Sequence, residues 1–579
     1  MRRSTQREVD DALRRLVTFV MVALLALFVS GAALAQEVEW EARGPYVDEI
    51  ILPIILDQEA QIIALQRGDI HVLPGLTQPS HIERLEADPN VDITVSPGYH
   101  MFYLGINMRT PPLSDVVVRR ALAHVINRDE IILSLFQGYM LPLAEFVPQS
   151  SPFHNPDTDV PEYDPELAKQ ILDEAGYVMG PDGVRIDPNT GERMRTMTIL
   201  TPTMEVAPTS AQLGVMIAEA AQAIGLPIVA EPLDFNVIVD RITREVDGGR
   251  NFDMYALAWS LSRFPTHLYT LFHSNFDVDG GDNTPGLRDP EYDAVAERVW
   301  TPRTYEDAFE AAFEAQEILS WLQPYVPLYS RPYMDAFRSD IVTGYVPHLG
   351  FGAASDVYRS IWTPLNIRRV DQERGGTIRW VLEEEPGNLN VLIGTSAYDA
   401  RIFGLVYGPG LITSEPVNND DFPWEAERWE VDTWITPEGN EGTKVTYYLR
   451  EGITWHDGVP FTAHDVKFTM DYLKEQQVPK YKATWDNYSH AEVHDDYTIT
   501  VYFDNVSYWH AYNVAGFLAK HIWEDVEKYD EFEPWNEPHP TVPGLTKMIG
   551  TGPFVFKEYV PGEYVRVERY EDFWAGLDR

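Results

Sequence analysis

The chain contains no cysteine in its 579 residues. Disulfides, thiolate metal sites, a cysteine nucleophile and a lipid-modified N-terminal cysteine are therefore excluded. Basic residues are scarce as well, because 45 Lys and Arg stand against 90 Asp and Glu and leave a formal net charge of −45. Such a negative field repels nucleic acid and anionic lipid surfaces, so we expect neither as a partner of the main body of the protein.

Long apolar runs are also lacking, with one exception near the start of the sequence. Residues 16–34 are mostly apolar and follow the arginines at 14–15. Residues 33–35 (ALA) then offer small side chains at 33 and 35, the two positions that a signal peptidase reads. This pattern predicts a secretory signal peptide over residues 1–35 and a periplasmic or otherwise extracytoplasmic mature protein. An uncleaved membrane anchor is the alternative, because the run is near the length that spans a bilayer.

The rest of the sequence alternates between strand-like and helix-like segments. Continuous apolar runs at residues 50–56 and 101–107 predict buried strands, whereas the periodicity of residues 116–127 and 212–224 predicts helices. Alternation of this kind predicts an α/β fold with a mostly parallel sheet. The polar stretch at residues 368–376 is typical of a linker between two large blocks.

Four groups of motifs resemble those of the dipeptide/oligopeptide (family 5) extracellular solute-binding proteins of ABC transporters. They are residues 449–458 (LREGITWHDG) with 460–466 (PFTAHDV), 550–554 (GTGPF) with 559–564 (YVPGEY), 118–122 (VRRAL) with 126–128 (INR), and 163–168 (YDPELA) with 174–177 (EAGY). The resemblance covers nearly all of the chain that follows the predicted signal peptide. It implies a two-lobe periplasmic-binding-protein fold of type II, similar to cluster C, with an extra subdomain.

The order of the two blocks differs from the order that is usual in this family. The segment similar to residues 376–574 usually comes first and the segment similar to residues 46–362 follows it, whereas here the order is reversed. Joining residues 573–576 to residues 44–49 would restore the usual run, so the chain resembles a circular permutant of one complete binding protein. A fusion of remnants from two adjacent binding-protein genes is the alternative.

This resemblance divides the mature chain into three parts. Residues 36–335 are predicted to form a lobe similar to the family's C-terminal lobe, and residues 336–375 a return segment and linker. Residues 376–579 are predicted to form a lobe similar to the N-terminal lobe, together with the extra subdomain.

The function implied by the resemblance is capture of a small solute, peptide-like or another organic compound, in a cleft that closes between the lobes. The solute would pass to the membrane subunits of an ABC permease, and the resemblance implies a monomer without cofactors or catalysis. A scaffold or sensor that has lost transport and a secreted hydrolase are the alternatives. The sequence shows no G-x-S-x-G, P-loop or G-x-G-x-x-G motif in a suitable strand–helix context to support a hydrolase.

The resemblance also implies the wall of a binding pocket at residues 255–264 (YALAWSLSRF). Trp259 is similar to the family's pocket tryptophan. In the peptide binders an aspartate three residues later pairs with the ligand's α-amino group, but here that position is Ser262. Since a buried ammonium without a counter-charge is costly, ordinary unmodified peptides are not the expected ligands. Arg263 beside it suits either an anionic ligand group or a surface salt bridge.

Three tyrosines are weaker candidates for contact with a ligand. Tyr398 and Tyr407 lie near the family's early loop on the other lobe, and Tyr103 lies in a predicted strand. Each is as compatible with the hydrophobic core as with a pocket.

Two patterns that suggest metal binding are better explained otherwise. His490 and His494 are four residues apart, but the segment alternates like a strand, in which they would lie about 13 Å apart. Residues 277–283 (DVDGGDN) suggest a calcium loop, but position twelve, where an EF-hand requires Glu, is Arg288. We therefore predict no metal site at either place.

Overall fold

The computed structural model describes residues 40–205, 207–245 and 249–578. Residues from Arg43 onward form one compact unit. The predicted signal peptide at residues 1–35 lies outside the described residues.

The strands belong to sheets of two to six members. In chain order they are β1 (Glu49–Pro53), β2 (Val72–Leu73), β3 (Val91–Ser96), β4 (His100–Ile106), β5 (Leu141–Pro142), β6 (Met197–Pro202), β7 (Ile228–Leu233), β8 (Met254–Ser260), β9 (Tyr325–Ser330), β10 (Tyr333–Arg338), β11 (Val342–Thr343), β12 (Arg368–Arg369), β13 (Thr377–Arg379), β14 (Ile412–Ser414), β15 (Asp421–Pro423), β16 (Ala426–Ile435), β17 (Glu441–Leu449), β18 (Tyr488–Asp495), β19 (Thr498–Phe503), β20 (Phe554–Val560) and β21 (Tyr564–Arg569).

The helices are mostly of two to five turns. In chain order they are α1 (Gln58–Arg67), α2 (Pro79–Glu86), α3 (Val116–Val125), α4 (Arg128–Phe136), α5 (Pro165–Glu174), α6 (Pro208–Gln222), α7 (Phe235–Thr243), α8 (His267–Thr270), α9 (Pro290–Trp300), α10 (Tyr305–Leu322), α11 (Trp362–Asn366), α12 (Ala397–Val406), α13 (Ala463–Glu475), α14 (Lys482–Trp485) and α15 (Lys520–Trp523).

Local sequence signals explain where several helices begin and end. Helix α13 begins with a capping box, in which Thr462 and Asp465 each accept the other's backbone N–H. Helix α1 ends at Gly68, whose φ of +79° is a left-handed conformation that favours glycine. These caps satisfy backbone groups that the helices leave without partners.

The smaller lobe, residues 98–330, is built on one six-stranded sheet. Its strand order is β5-β9-β4-β8-β6-β7, and helices α3 to α10 belong to the same stretch of chain. Two buried clusters of side chains fill this lobe. One includes Leu104 and Ile217, and the other includes Tyr255 and Tyr325.

The larger lobe combines residues 43–97 with residues 331–578. Its main sheets have the orders β13-β1-β21-β20, β2-β10-β3 and β16-β17-β19-β18. Strand β1 pairs in parallel with β13 and antiparallel with β21. One buried cluster, which includes Ile50 and Val567, extends across these elements.

The division into lobes therefore differs from the predicted one at its first boundary. Residues 43–97 were assigned from the sequence to the lobe of residues 36–335, but β1 to β3 pair with strands of the other lobe. Strand pairing is a long-range property, and the resemblance on which the assignment rested does not show which block β1 joins. The described chain crosses between the lobes at β3–β4 and again at β9–β10.

The prediction that the sheet is mostly parallel is wrong. Among the described strands, parallel pairing within named strands is confined to β1–β13, β6–β7 and β6–β8, and the remaining pairs are antiparallel. In the smaller lobe β4 pairs antiparallel with both β8 and β9. Strand β4 enters this lobe and β9 leaves it through the same side, so neighbours at that crossing must run in opposite directions.

Candidate functional site

A cavity of about 770 Å³ lies between the two lobes. This volume is within the range of small-molecule sites. The smaller lobe contributes Ser262, Arg263, Phe264, Thr266 and Trp300 to its lining. The larger lobe contributes Phe351, Tyr358, Arg359, Pro409, Ile412, Thr413, Ser414, Lys482, Asp486, Asn487, Asn505, Ser507, Trp509, His510, Tyr512 and Asn513.

The cavity combines aromatic rings with hydroxyl and amide groups. Phe264 lies 4.6 Å from Tyr512 and 4.8 Å from Trp509, measured between ring centres, so rings from both lobes meet at this wall. Trp300 stacks on Tyr269 at 5.1 Å. An apolar surface with a few polar groups buries a solute and fixes its orientation.

Arg263 joins the two lobes at the edge of this cavity. Its guanidinium donates to Asp421 at 2.6 Å and to the backbone carbonyl of Asn419 at 2.9 Å, and its side chain is only 11% exposed. The guanidinium also lies over the ring of Phe264, 4.5 Å from the ring centre. Tyr512 donates its hydroxyl to the same carboxylate at 2.6 Å. Of the two alternatives left open by the sequence, the structure shows an ion pair, and that pair is an interlobe contact.

Ser262 and Trp259 take different positions relative to the cavity. Ser262 lines it, and its hydroxyl donates to the carbonyl of Phe264 at 2.9 Å. Trp259 lies on β8 and packs against the smaller lobe's aromatic cluster, with its indole nitrogen 3.5 Å from the hydroxyl of Tyr325. Trp259 is not among the lining residues.

The three tyrosine candidates lie away from the cavity. Tyr103 is 2% exposed and stacks on Tyr325 at 3.9 Å, so it belongs to the core of the smaller lobe. Tyr407 is 4% exposed within the core of the larger lobe. Tyr398 lines a separate, smaller cavity of about 270 Å³ beside Glu383 and Glu384. None of the three is supported as a ligand contact by its position.

Sequence analysis missed the segment that contributes most to the wall. Residues 505–513 supply six lining residues, including Trp509 and Tyr512. The dense aromatic run at residues 507–512 (SYWHAY) was a usable signal, because aromatic side chains commonly line small-molecule pockets. No motif of the family resemblance had drawn attention to it.

The two patterns set aside as metal sites have other partners. His490 and His494 lie on strand β18, as predicted; His490 stacks on Tyr502 and His494 hydrogen-bonds to Thr500. In the acidic turn, Asp277 forms ion pairs with Arg109 and, at 2.6 Å, with Arg288.

A different cluster, Asp457 with His521 and His539, has its ligand atoms within 4.8 Å of one another. The Nε2 atoms of His521 and His539 lie 2.7 and 3.1 Å from the same oxygen of Asp457. The backbone N–H of Val542 donates to Nδ1 of His539 at 3.0 Å, which places the ring proton on Nε2. A histidine binds a metal through the ring nitrogen that carries no proton, and in His539 that nitrogen, Nδ1, already accepts the backbone N–H. The cluster is therefore a hydrogen-bonded network centred on a carboxylate.

Burial opposes ionisation of Asp457, but its hydrogen bonds hold the pKa of the carboxyl group below its ordinary value. The bonds come from His521 and from the backbone N–H of Val459. Asp457 is the aspartate of the WHDG motif, so this motif has a structural role: its carboxylate ties the loop after β17 to the segments that carry His521 and His539.

Glu425, in contrast, has a buried carboxyl group, and no cation pairs with it in the part of the chain that the structure describes. It is 3% exposed, and burial raises its pKa to about 7. The hydroxyl of Thr551 faces Glu425 at 2.5 Å and the carbonyl of Tyr407 at 3.2 Å, but has only one proton. Both contacts are satisfied when Glu425 is protonated and donates to Thr551, which then donates to Tyr407.

The family described as "Bacterial extracellular solute-binding proteins, family 5 Middle" matches residues 32–279 and 422–579. The chain therefore belongs to the family 5 bacterial extracellular solute-binding proteins. The two-lobe α/β fold class predicted from the sequence is confirmed. Among the described residues, no helix has both the length and the apolar character needed to cross a bilayer.

Individual relatives match over part of their length. The dipeptide-binding protein of Escherichia coli K12 is 33% identical over 136 residues, which are 24% of this chain and 25% of that protein. The probable ABC transporter periplasmic-binding protein SapA of the same organism is 24% identical over 323 residues, 55% of each chain. The structure of HbpA2 from Haemophilus parasuis has a TM-score of 0.46 at 20% identity and covers 54% of this chain and 56% of that one. The matched regions thus span from a quarter to just over half of these relatives.

The hydrogen-bonded network predicts the effect of removing its carboxylate. Asp457→Ala leaves the buried Nε2–H of His539 without an acceptor, and we expect a loss of about 1–3 kcal/mol in the free energy of unfolding, measured by urea denaturation. Asp432→Ala, an exposed acid on β16, is the control and should change stability by less than about 0.5 kcal/mol. Added Zn²⁺ should leave the wild-type melting temperature unchanged. A Zn²⁺-dependent rise that Asp457→Ala abolishes would contradict the proton assignment.

Glu425 predicts a specific dependence of stability on pH. Because its pKa rises from 4.5 to about 7 on folding, its contribution is fully present below pH 4.5 and is lost as pH rises through about 7, a change of about 3 kcal/mol. Glu425→Gln keeps a donor to Thr551 without a titratable proton, so the variant should gain stability relative to wild type above pH 7. Urea denaturation from pH 5 to pH 8 measures the difference; parallel curves for the two proteins would refute the assignment.

Proposed function

We propose that the protein is an extracytoplasmic solute-binding protein that holds a small organic solute, peptide-like or otherwise, in the interlobe cavity. It delivers the solute to the membrane subunits of an ABC importer. The observation that carries this proposal is the cavity of about 770 Å³, lined by aromatic and hydrogen-bonding groups from both lobes. Family membership supports it, because the family is one of extracellular solute-binding proteins. We propose that the chain acts as a monomer, without a cofactor and without catalysing a reaction.

Within the cavity we propose Ser262, Arg263 and Tyr512 as residues near the solute. Ser262 offers no charge, and Arg263 is already paired with Asp421. A solute group that needs a buried counter-ion therefore finds none at this wall unless the interlobe pair separates. The carboxylate that pairs with a peptide's α-amino group is thus missing from this wall, whereas Asp486 places one on the larger lobe's side of the cavity.

We also propose that the chain order is a circular permutation of the family's usual order. Two contacts support this proposal. The backbone N–H of Gly44 donates to the carbonyl of Ala575 at 3.0 Å, and β1 pairs with β21 along its full length. Residues 44 and 575 are therefore close enough in space to be joined without rearranging the sheet.

Capture of a solute in the cavity is tested by native mass spectrometry of protein from its exporting host, followed by a thermal-stability panel of peptides, amines, sugars and opines. A bound solute stabilises the folded state by an amount that grows with the logarithm of its concentration relative to its dissociation constant. Trp300→Ala removes an aromatic wall and should weaken binding of the best solute at least tenfold by calorimetry. Trp321→Ala, an exposed tryptophan of the same lobe outside the cavity, is the control and should bind like wild type.

Either of two results would overturn this function. One is a chain that neither carries a solute nor is stabilised by any member of the panel. The other is a solute whose affinity falls equally in Trp300→Ala and Trp321→Ala, which would place it outside the cavity.

The permutation predicts that the chain can be reconnected. In the rejoined variant, residue 576 is linked to residue 44 and new ends are opened between Gln372 and Glu373, which are both exposed. We expect the circular dichroism spectrum of wild type and a melting temperature within a few degrees of it, because the sheet contacts are unchanged. Opening the same rejoined chain within helix α10 is the disruptive control. Failure of the first variant to fold would contradict the permutation.

A further inference from the structure

One side chain of the larger lobe is buried in the core of the smaller lobe. The aromatic cluster of the smaller lobe is drawn from residues 101–325, and among the described residues its one buried member from outside that lobe is Trp509. Trp509 is 6% exposed and its ring lies 5.9 Å from the ring of Phe153 and 4.8 Å from that of Phe264. The two lobes therefore share a hydrophobic core at this point.

The segment around Trp509 also caps a helix of the smaller lobe. The indole N–H of Trp509 donates to the carbonyl of Val299 at 2.9 Å, and the hydroxyl of Ser507 donates to the carbonyl of Trp300 at 3.1 Å. The backbone N–H of Tyr508 donates to the carbonyl of Pro302 at 2.7 Å. Helix α9 ends at Trp300, and the carbonyls at a helix end have no partners within the helix. Donors from the opposite lobe thus satisfy carbonyls that separation of the lobes would leave unpaired.

The same segment is held firmly by its own lobe. The hydroxyl of Tyr447 on β17 donates to the carbonyl of Ala511 at 2.8 Å, and the N–H of Ser507 donates to the hydroxyl of Thr443 at 2.9 Å. His510 stacks on Phe503 of β19 with 4.1 Å between ring centres. The segment therefore cannot follow the smaller lobe without disturbing β17 and β19.

Two ion pairs between the lobes accompany these contacts. Arg263 pairs with Asp421 beside the cavity, and Arg303 pairs with both carboxylate oxygens of Glu441 at the surface. Neither pair, nor the burial of Trp509, requires a solute. These contacts between the lobes are thus made entirely by the protein's own side chains.

We propose that residues 507–512, here called the clasp, hold the two lobes closed before a solute arrives. Trp509 is the positioning residue, because its burial in the smaller lobe favours the closed arrangement over the open one. Since the clasp also lines the cavity, the equilibrium between its docked and undocked states controls access to the site. The effect on solute affinity rests on the proposed function, whereas the distance between the lobes does not.

The test is a distance measurement between the lobes in the absence of solute. The chain has no cysteine, so Glu310→Cys in the smaller lobe and Glu438→Cys in the larger lobe give two unique, exposed sites for spin labels. Pulsed electron–electron double resonance should give one narrow distance in the otherwise wild-type chain. Trp509→Ala should add a longer, broader distance. Trp509→Phe keeps a ring but loses the hydrogen bond to Val299. Its open fraction should lie between that of wild type and that of Trp509→Ala.

Two controls separate the clasp from other interlobe contacts. Trp321→Ala, which removes an exposed tryptophan, and Arg303→Gln, which breaks only the exposed ion pair, should both retain the narrow distance. A broad distribution in the wild-type background, or a distribution for Trp509→Ala and Trp509→Phe identical to wild type, would overturn the proposal. If Trp509→Ala does not fold, the distance distribution of Trp509→Phe alone tests the proposal.

A solute identified by mass spectrometry adds a second measurement. If it binds the closed form, Trp509→Ala should weaken its apparent affinity at least tenfold, because the competent state becomes a minor fraction of the population. Unchanged affinity together with an increased open fraction would mean that the solute does not bind in the closed cleft. That result would count against the proposed function but would still support the proposed role of the clasp.

Discussion

The position of strand β1 between β13 and β21 is the constraint on which the larger lobe depends. All five of its residues pair with β21, the C-terminal strand, and three of them pair with β13, the strand that follows the linker. Ile50 and Leu52 point from it into the main core. Segments more than 300 residues apart in the chain therefore form one sheet. The rest of the chain must return to that sheet, which is why the smaller lobe enters and leaves through adjacent strands, β4 and β9.

The sequence predicted most of the local structure and little of the long-range pairing. The capping box of α13, the helix end at Gly68 and the buried strand β4 follow from patterns within a few residues, and the structure contains all three. The direction of β4 relative to β9 depends on where the chain leaves the lobe, which no local pattern encodes. The same holds for the assignment of β1 to the larger lobe.

The candidate site shows the same contrast. Ser262 and Arg263 were found because they lie in a recognisable segment, and both line the cavity. Trp259 and Tyr103, from the same kind of reasoning, lie in the adjoining core, because side chains alternate between the two faces of a strand and resemblance does not say which face is open. The partner of Arg263 could not be predicted, because Asp421 is 158 residues away and one of 90 acidic residues.

The large negative charge of the chain does not extend into the cavity. Its lining includes three cationic side chains, Arg263, Arg359 and Lys482, and one carboxylate, Asp486. Asp421 and Asp356 neutralise the two arginines from behind the lining. The cavity is thus close to electrically balanced within a strongly acidic surface. The distant surface charge acts through solvent and is screened by salt, so selection of the solute depends mainly on aromatic surface and hydrogen bonds.

Hydrophobic burial and charge contribute unequally to closure of the cleft. A buried tryptophan removes about 200 Å² from water, which at about 25 cal/mol per Å² corresponds to about 5 kcal/mol. The ion pair between Arg303 and Glu441 is exposed to solvent on both sides, and pairs of this kind contribute little. Because Trp509 must leave the smaller lobe's core before the lobes can separate fully, its burial contributes more to the free energy of opening than this exposed ion pair does. A solute that enters the cavity therefore adds its binding free energy to a closed arrangement that the protein already favours. Its affinity depends both on its own contacts with the cavity and on the contacts of Trp509 that favour closure.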